Sequence, residues 1–148
     1  MVSQTIERLL PHRADQLFDL AADVERYPEY LPLWKAARIR RREANVYYTD
    51  QRLGLGPISV SFGSTTILQR PNRIDVTSSE VPFRQFRLSW LFGARPGGCL
   101  VRVVTEFQLR NPLLQLICEQ LLPSTVGEII AAFEKRAASL YQPPDQST

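Results

Sequence analysis

Residues 111–141 read NPLLQLICEQLLPSTVGEIIAAFEKRAASLY. Asn111 can cap a helix, and Pro112 suits the first helical position, where its missing N–H costs nothing. Leu113, Leu116, Ile117, Leu121, Val126, Ile129, Ile130, Phe133, Ala137 and Leu140 recur at helical spacing, which assigns Glu119, Glu128, Glu134, Lys135 and Arg136 to the outer face. The pattern predicts one long helix from Pro112 to about Tyr141, kinked near Pro123-Ser124 because an internal proline removes a helical hydrogen bond. So broad an apolar stripe must be covered by a second layer.

The cover lies upstream. From Trp34 to Leu109 the chain breaks into short stretches separated by turn residues, the pattern of antiparallel strands. The candidates are Trp34–Arg42, Val46–Leu55, Ile58–Gln69, Arg73–Ser79, Phe86–Phe92 and Cys99–Leu109. Glu43-Ala44-Asn45, Gly56-Pro57, Arg70-Pro71-Asn72 and Arg95-Pro96-Gly97-Gly98 separate them. Ile58, Val60 and Phe62 alternate with Ser59, Ser61 and Gly63, as Phe86, Leu88, Trp90 and Phe92 do with Arg87 and Ser89, so each strand has an apolar and a wet face. Ahead of them, Ser3–Leu10 predicts a first strand ended by Pro11. Ala14, Leu17, Phe18, Ala21 and Ala22 predict a helix from Arg13. Pro28 should stop that helix and push Tyr27 out of the helical region, and Pro32 closes the turn that follows. The layout is α+β in one domain, residues 1–148, with 142–148 a frayed tail. A curved sheet gripping a straight helix leaves a gap, which is either an apolar pocket or filled by side chains.

Composition narrows the function. The chain has 148 residues, 44% hydrophobic and 22% charged, as an ordinary globule does. Leu113 to Leu122 is interrupted by Gln115, Glu119 and Gln120, so no membrane-crossing helix is expected. The first ten residues carry Glu7 and Arg8 and no basic leader, from which a mature start and a cytoplasmic location are expected. Cys99 and Cys118 are too few for a disulfide framework or zinc site and read as small core residues. Up to Leu33, three arginines face six carboxylates, whereas the remainder carries fifteen cations against nine acids. Lys35, Arg38, Arg40, Arg41 and Arg42 are the densest basic run. They could meet RNA, anionic lipid or an acidic protein, or be one solvated strand face. No aromatics are interleaved for base stacking, and no DNA partner is expected.

Catalytic motifs are missing: no G-x-S-x-G, P-loop, GxGxxG, HExxH or CxxC occurs. His12 stands alone beside Pro11 and is expected to be solvated. Asp50, Asp75 and Glu106 sit in strands and are expected to face water or pair with arginines, and no two carboxylates can be assigned to one cleft. No catalytic residue or metal site is predicted.

The segment Ala22-Asp23-Val24-Glu25-Arg26-Tyr27-Pro28-Glu29-Tyr30-Leu31-Pro32 resembles the signature of the coenzyme Q-binding START-like proteins of the polyketide cyclase/dehydrase superfamily, which includes the bacterial ribosome-association toxins. Pro82-Phe83, Trp90, Phe92, Phe107 and Ala132-Phe133-Glu134-Lys135-Arg136-Ala137 add to it in order. The resemblance implies a helix-grip (START/Bet v 1-like) fold, an antiparallel sheet wrapped about a long C-terminal helix and enclosing a tunnel for a hydrophobic ligand. This chain departs from the family's usual aromatic and cysteine after the second proline, having Leu33-Trp34-Lys35 instead. Tyr27, Pro28, Tyr30 and Pro32 either fix the turn into the sheet or touch ligand.

The resemblance implies two functions. One is binding of ubiquinone or a related prenylquinone, with no cofactor required, and its delivery in respiration or quinone biosynthesis without turnover, at most visiting the inner face of the membrane. The other is binding to the large ribosomal subunit to block subunit joining, with the Arg38–Arg42 run on phosphates. Aromatase/cyclase chemistry has no nameable catalytic group. For the ligand, alternation and helical spacing place Trp34, Phe62, Trp90, Phe107, Val126, Ile129, Ile130 and Phe133 around one cavity. Phe83 joins Leu53, Leu55 and Val81 in an apolar lip that either touches membrane or folds back as a cap.

Overall fold

The computed structural model describes residues 1–141, and the predicted frayed tail, 142–148, lies outside them. Seven strands are present among the described residues: β1 (Val2–Leu10), β2 (Trp34–Glu43), β3 (Val46–Leu55), β4 (Ile58–Gln69), β5 (Arg73–Ser78), β6 (Phe83–Arg95) and β7 (Gly98–Leu109). They form one sheet in the order β1-β7-β6-β5-β4-β3-β2, and every neighbouring pair is antiparallel. Between β1 and β2, at opposite edges, run α1 (Ala14–Ala22), a 3₁₀ turn (Val24–Arg26) and α2 (Tyr27–Tyr30). The long helix α3 (Pro112–Leu140) ends the described chain. This is the expected α+β helix-grip layout.

Its cap is the one the sequence indicates: the Asn111 side chain accepts from the N–H groups of Leu113 (2.9 Å) and Leu114 (3.2 Å). The buried stripe, however, is rotated from the expected one in the first half of α3. Gln115, Cys118 and Leu122 face the sheet, while Leu113 and Leu116 are 66% and 54% exposed. Buried Gln115 sits there because its Oε1 accepts the Leu109 N–H at 2.7 Å at the end of β7. Arg136 also departs from the outer face. Its guanidinium lies over the Tyr30 ring and bonds Glu29 at 2.8 Å, tying α3 to α2. By length and composition alone α3 would suffice to cross a bilayer, where no such helix was expected, but its buried stripe packs on the sheet as that of a core helix does.

Two local expectations are corrected. Tyr27 has helical backbone angles (φ −52°, ψ −41°). Pro28 is in the first turn of α2, where no amide donor is needed, and burial of the Tyr27 ring against Trp34 (centroids 5.1 Å apart) outweighs the pre-proline preference. Its hydroxyl donates to the Ala21 carbonyl. His12 is buried, its ring set edge-on to that of Tyr141 with centroids 6.1 Å apart, because the start of α1 and the end of α3 close over it.

At the β6–β7 turn, Gly98 lies against the Leu10 carbonyl, so a Cβ there would drive into β1 backbone, which cannot swing aside as a side chain could. Gly98→Ala is expected to lower the unfolding free energy by about 1–3 kcal/mol, read from urea denaturation. Gly97, with φ +77° and open space around it, tolerates a Cβ sterically but not conformationally.

Candidate functional site

The concave face of the sheet is built by in-phase residues of five neighbouring strands. Leu53 of β3, Phe62 of β4, Val76 of β5, Phe86, Leu88 and Trp90 of β6, and Val103 and Phe107 of β7 are all buried. The faces of α3 and α1–α2 close over them. Two apolar voids remain between sheet and helix, of about 60 Å³ and about 30 Å³. The outer void lies between the β3–β4 hairpin (Leu55, Ile58) and the first half of α3 (Cys118, Leu122), with Phe83 and Phe107 on its wall. The inner one lies deeper, bounded by Trp34, Trp90, Val126 and Ile129. Leu33, Leu53, Phe86, Thr105 and Leu122 border both, so the two are in line.

Of the sequence-predicted residues, Trp34, Trp90, Val126 and Ile129 meet at the inner void and Phe83 and Phe107 at the outer. Phe62, Ile130 and Phe133 border neither. Phe62 packs in an aromatic cluster with Phe83 (4.9 Å) and Phe86 (5.3 Å), and Phe133 fills the space beyond Trp90 at 4.7 Å. Leu53 and Phe83 turn inward and are buried, whereas Val81 is 70% exposed. The lip is thus a cap at Leu53 and Phe83 and an exposed apolar tip at Val81. Sequence reasoning missed Leu33, Cys118, Leu122 and Thr105 as lining residues. Cys118 and Leu122 had a usable signal, since rotating the α3 stripe by one residue brings both in.

Polar groups enter this interior sparingly. The Trp34 indole N–H donates to Gln51 Oε1 (2.8 Å), and Gln51 Nε2 donates to Ser64 Oγ (2.7 Å), a buried relay one step deeper along β3 and β4 than Leu53. Burial in apolar surroundings pushes the Cys118 thiol up, so it is a poor nucleophile. Burial likewise holds the Tyr27 phenol well above its ordinary range. Leu33 has φ +87°, a strained conformation for a leucine costing on the order of 1 kcal/mol. It is held there by the Gly54 N–H, which donates to its carbonyl at 2.8 Å.

Volume decides what the site can do at rest. Ligand pockets run to about 300–1,000 Å³, so voids of about 60 and about 30 Å³ hold nothing larger than a few methyl groups. A larger guest must part the β3–β4 hairpin from α3, where the hairpin tip at Gly56 rests on Leu121. Helix α3 is weakest beside this contact. Pro123 has no N–H to return to the Glu119 carbonyl, and the hydroxyls of Ser124 (3.3 Å) and Thr125 (3.0 Å) crowd onto the Leu121 carbonyl beside it.

A seven-stranded antiparallel sheet closed on a long C-terminal helix, with an apolar seam between them, defines a helix-grip protein of the START/Bet v 1 type. The chain belongs to the family described as polyketide cyclase / dehydrase and lipid transport, which matches residues 10–134. It is 28% identical over 134 residues to the ribosome association toxin RatA of Pseudomonas aeruginosa, covering 90% of this chain and 93% of that one. It is 25% identical over 146 residues to the mitochondrial coenzyme Q-binding protein COQ10 of Dictyostelium discoideum, covering 95% and 71%. The crystal structure of TTHA0849 from Thermus thermophilus superposes with a TM-score of 0.84 at 20% identity, covering 95% and 100%, a likeness of fold.

Proposed function

We propose that this protein binds a prenylquinone, ubiquinone or a close relative, in the seam between sheet and α3, and passes it on without chemical change. The observation that carries this reading is the in-line pair of voids, whose lining is apolar apart from Thr105 and the Trp34 indole edge. Each CH₂ buried there contributes about 0.8 kcal/mol, so an isoprenoid tail gains enough to open the seam. The similarity to a protein named for coenzyme Q binding supports the choice of head group. Exposed Val81 and Leu113 lie at the hairpin and α3 end of the molecule, with Arg84 and Arg110 beside Leu116. These side chains suit a peripheral visit of an otherwise cytoplasmic protein to the inner face of a membrane.

The test is mass spectrometry of organic extracts from protein purified without detergent from its own host, alongside a Cys118→Leu variant. Leucine at 118 fills part of the outer void. Prenylquinone is expected in the wild-type extract and reduced about tenfold or more in the variant, with the melting temperature unchanged or higher. Empty wild-type extracts, or equal loading of the variant, would count against the proposal. A second reading, association with the large ribosomal subunit, is favoured by the arginines of β2 and β3 on the outer face and by the toxin relative.

A further inference from the structure

The convex face of the sheet carries a groove of about 490 Å³ that the ligand reading leaves unused. It opens where β5 ends at Ser78, so that β4 and β6 diverge, and the Glu80 carboxylate lies over Gly63 on its floor. One cross-strand rung runs along it: Arg41 opposite Tyr48, Tyr48 opposite Thr65, Thr65 opposite Thr77, and Thr77 opposite Arg87. Hydroxyls thus line the middle, with Arg87 at one end and, just beyond the lining at the other, Arg41, which is ion-paired with Glu43 at 3.2 Å. Four strand spacings of about 4.8 Å separate those ends by about 19 Å, far longer than one phosphate. Gln85 adds a further donor to the wall, as does Arg40, which is ion-paired with Asp50 at 3.1 Å. Arg87, Arg38 and Arg52, all exposed, have no ion-pair partner among the described residues. The carboxylate on the wall, Glu80, has its Oε1 bonded to the Gly63 N–H at 3.0 Å.

We infer that this groove binds the phosphodiester backbone of RNA. The inference rests on the ribosome-association reading for its partner and adds the surface that would make the contact. Arginine and hydroxyl donors spread over several residues suit successive phosphates. The Tyr48 face is already covered by Arg41, whose guanidinium lies 4.5 Å from the ring centroid, so no aromatic platform is free to stack a base. Binding is therefore to backbone and independent of sequence. The groove reaches well beyond the Arg38–Arg42 run, because Arg87 comes from β6.

The experiment measures fluorescence anisotropy of a labelled single-stranded RNA oligomer across a potassium chloride series, and cosedimentation with ribosomes, for wild type, Arg40→Gln/Arg87→Gln and Arg95→Gln. Arg95 is exposed on the same strand as Arg87, eight residues and about 26 Å further along. The double variant is expected to bind about tenfold more weakly or worse, equally for oligomers of different sequence, with a salt slope shallower by about 1.4. Arg95→Gln should behave as wild type, and all three should share one melting temperature. Ribosome cosedimentation that survives the double substitution overturns the groove while leaving the ribosome reading intact. Absence of wild-type binding to both RNA and ribosomes overturns both. Groove-dependent binding to phosphatidylglycerol vesicles without RNA binding assigns the face to lipid and overturns the inference as well.

Discussion

Phe133→Ala is expected to lower the unfolding free energy by about 3–5 kcal/mol, enough to consume much of the stability of a domain this size. Phe133 is fully buried, with its ring 4.7 Å from that of Trp90. Trp90 in turn stacks on Phe92 at 6.2 Å and leans on Tyr27 at 6.5 Å. Truncation therefore opens a cavity at the point where α3, β6 and α2 meet, and none of these large rings can swing in to fill it. Urea denaturation should show a lower midpoint at unchanged slope. Phe133→Leu, which keeps most of the volume, should recover more than half of the loss. A loss below about 1 kcal/mol for the alanine variant would mean that α3 is not gripped as described.

Ile129→Arg should cost as much, by a different route. Ile129 is 6% exposed and borders an inner void of about 30 Å³, too small for a guanidinium, with no carboxylate on its walls. An unpaired buried charge of this kind costs about 3–5 kcal/mol. The neighbouring exposed position is the control: Glu128→Arg points to solvent and should stay within about 0.5 kcal/mol of wild type. Prenylquinone loading should be lost in the first variant and kept in the second. Equal stability of the two would show that Ile129 faces solvent and that the α3 stripe is assigned to the wrong side.

Aromatic packing explains why some of the site was legible and some not. Strand alternation has a period of two, so a residue's face follows from its neighbours: Trp90, Phe107 and Phe62 were placed inward from sequence and are inward. Which inward residue borders a void and which is packed solid depends on what stands opposite, and opposite residues come from distant segments. Phe62 is enclosed by Phe83 and Phe86, and Phe133 by Trp90, so neither borders a void, while Cys118 and Leu122 do.

Local chemistry written in the chain determined the element order, the α3 cap at Asn111, the strand alternation and hence the helix-grip class, since each follows from dihedral preference and apolar spacing within a few residues. Only the tertiary structure decided the rotation of α3, the burial of His12, the docking of half-buried Arg136 on α2, the near-closure of the seam and the convex groove. Those depend on sheet curvature and on contacts such as Gln115 with Leu109 and Arg136 with Glu29. The groove above all lay beyond sequence reading. Its Arg41, Tyr48, Thr65, Thr77 and Arg87 come from five strands, and only the hydrogen-bond register between those strands sets them side by side.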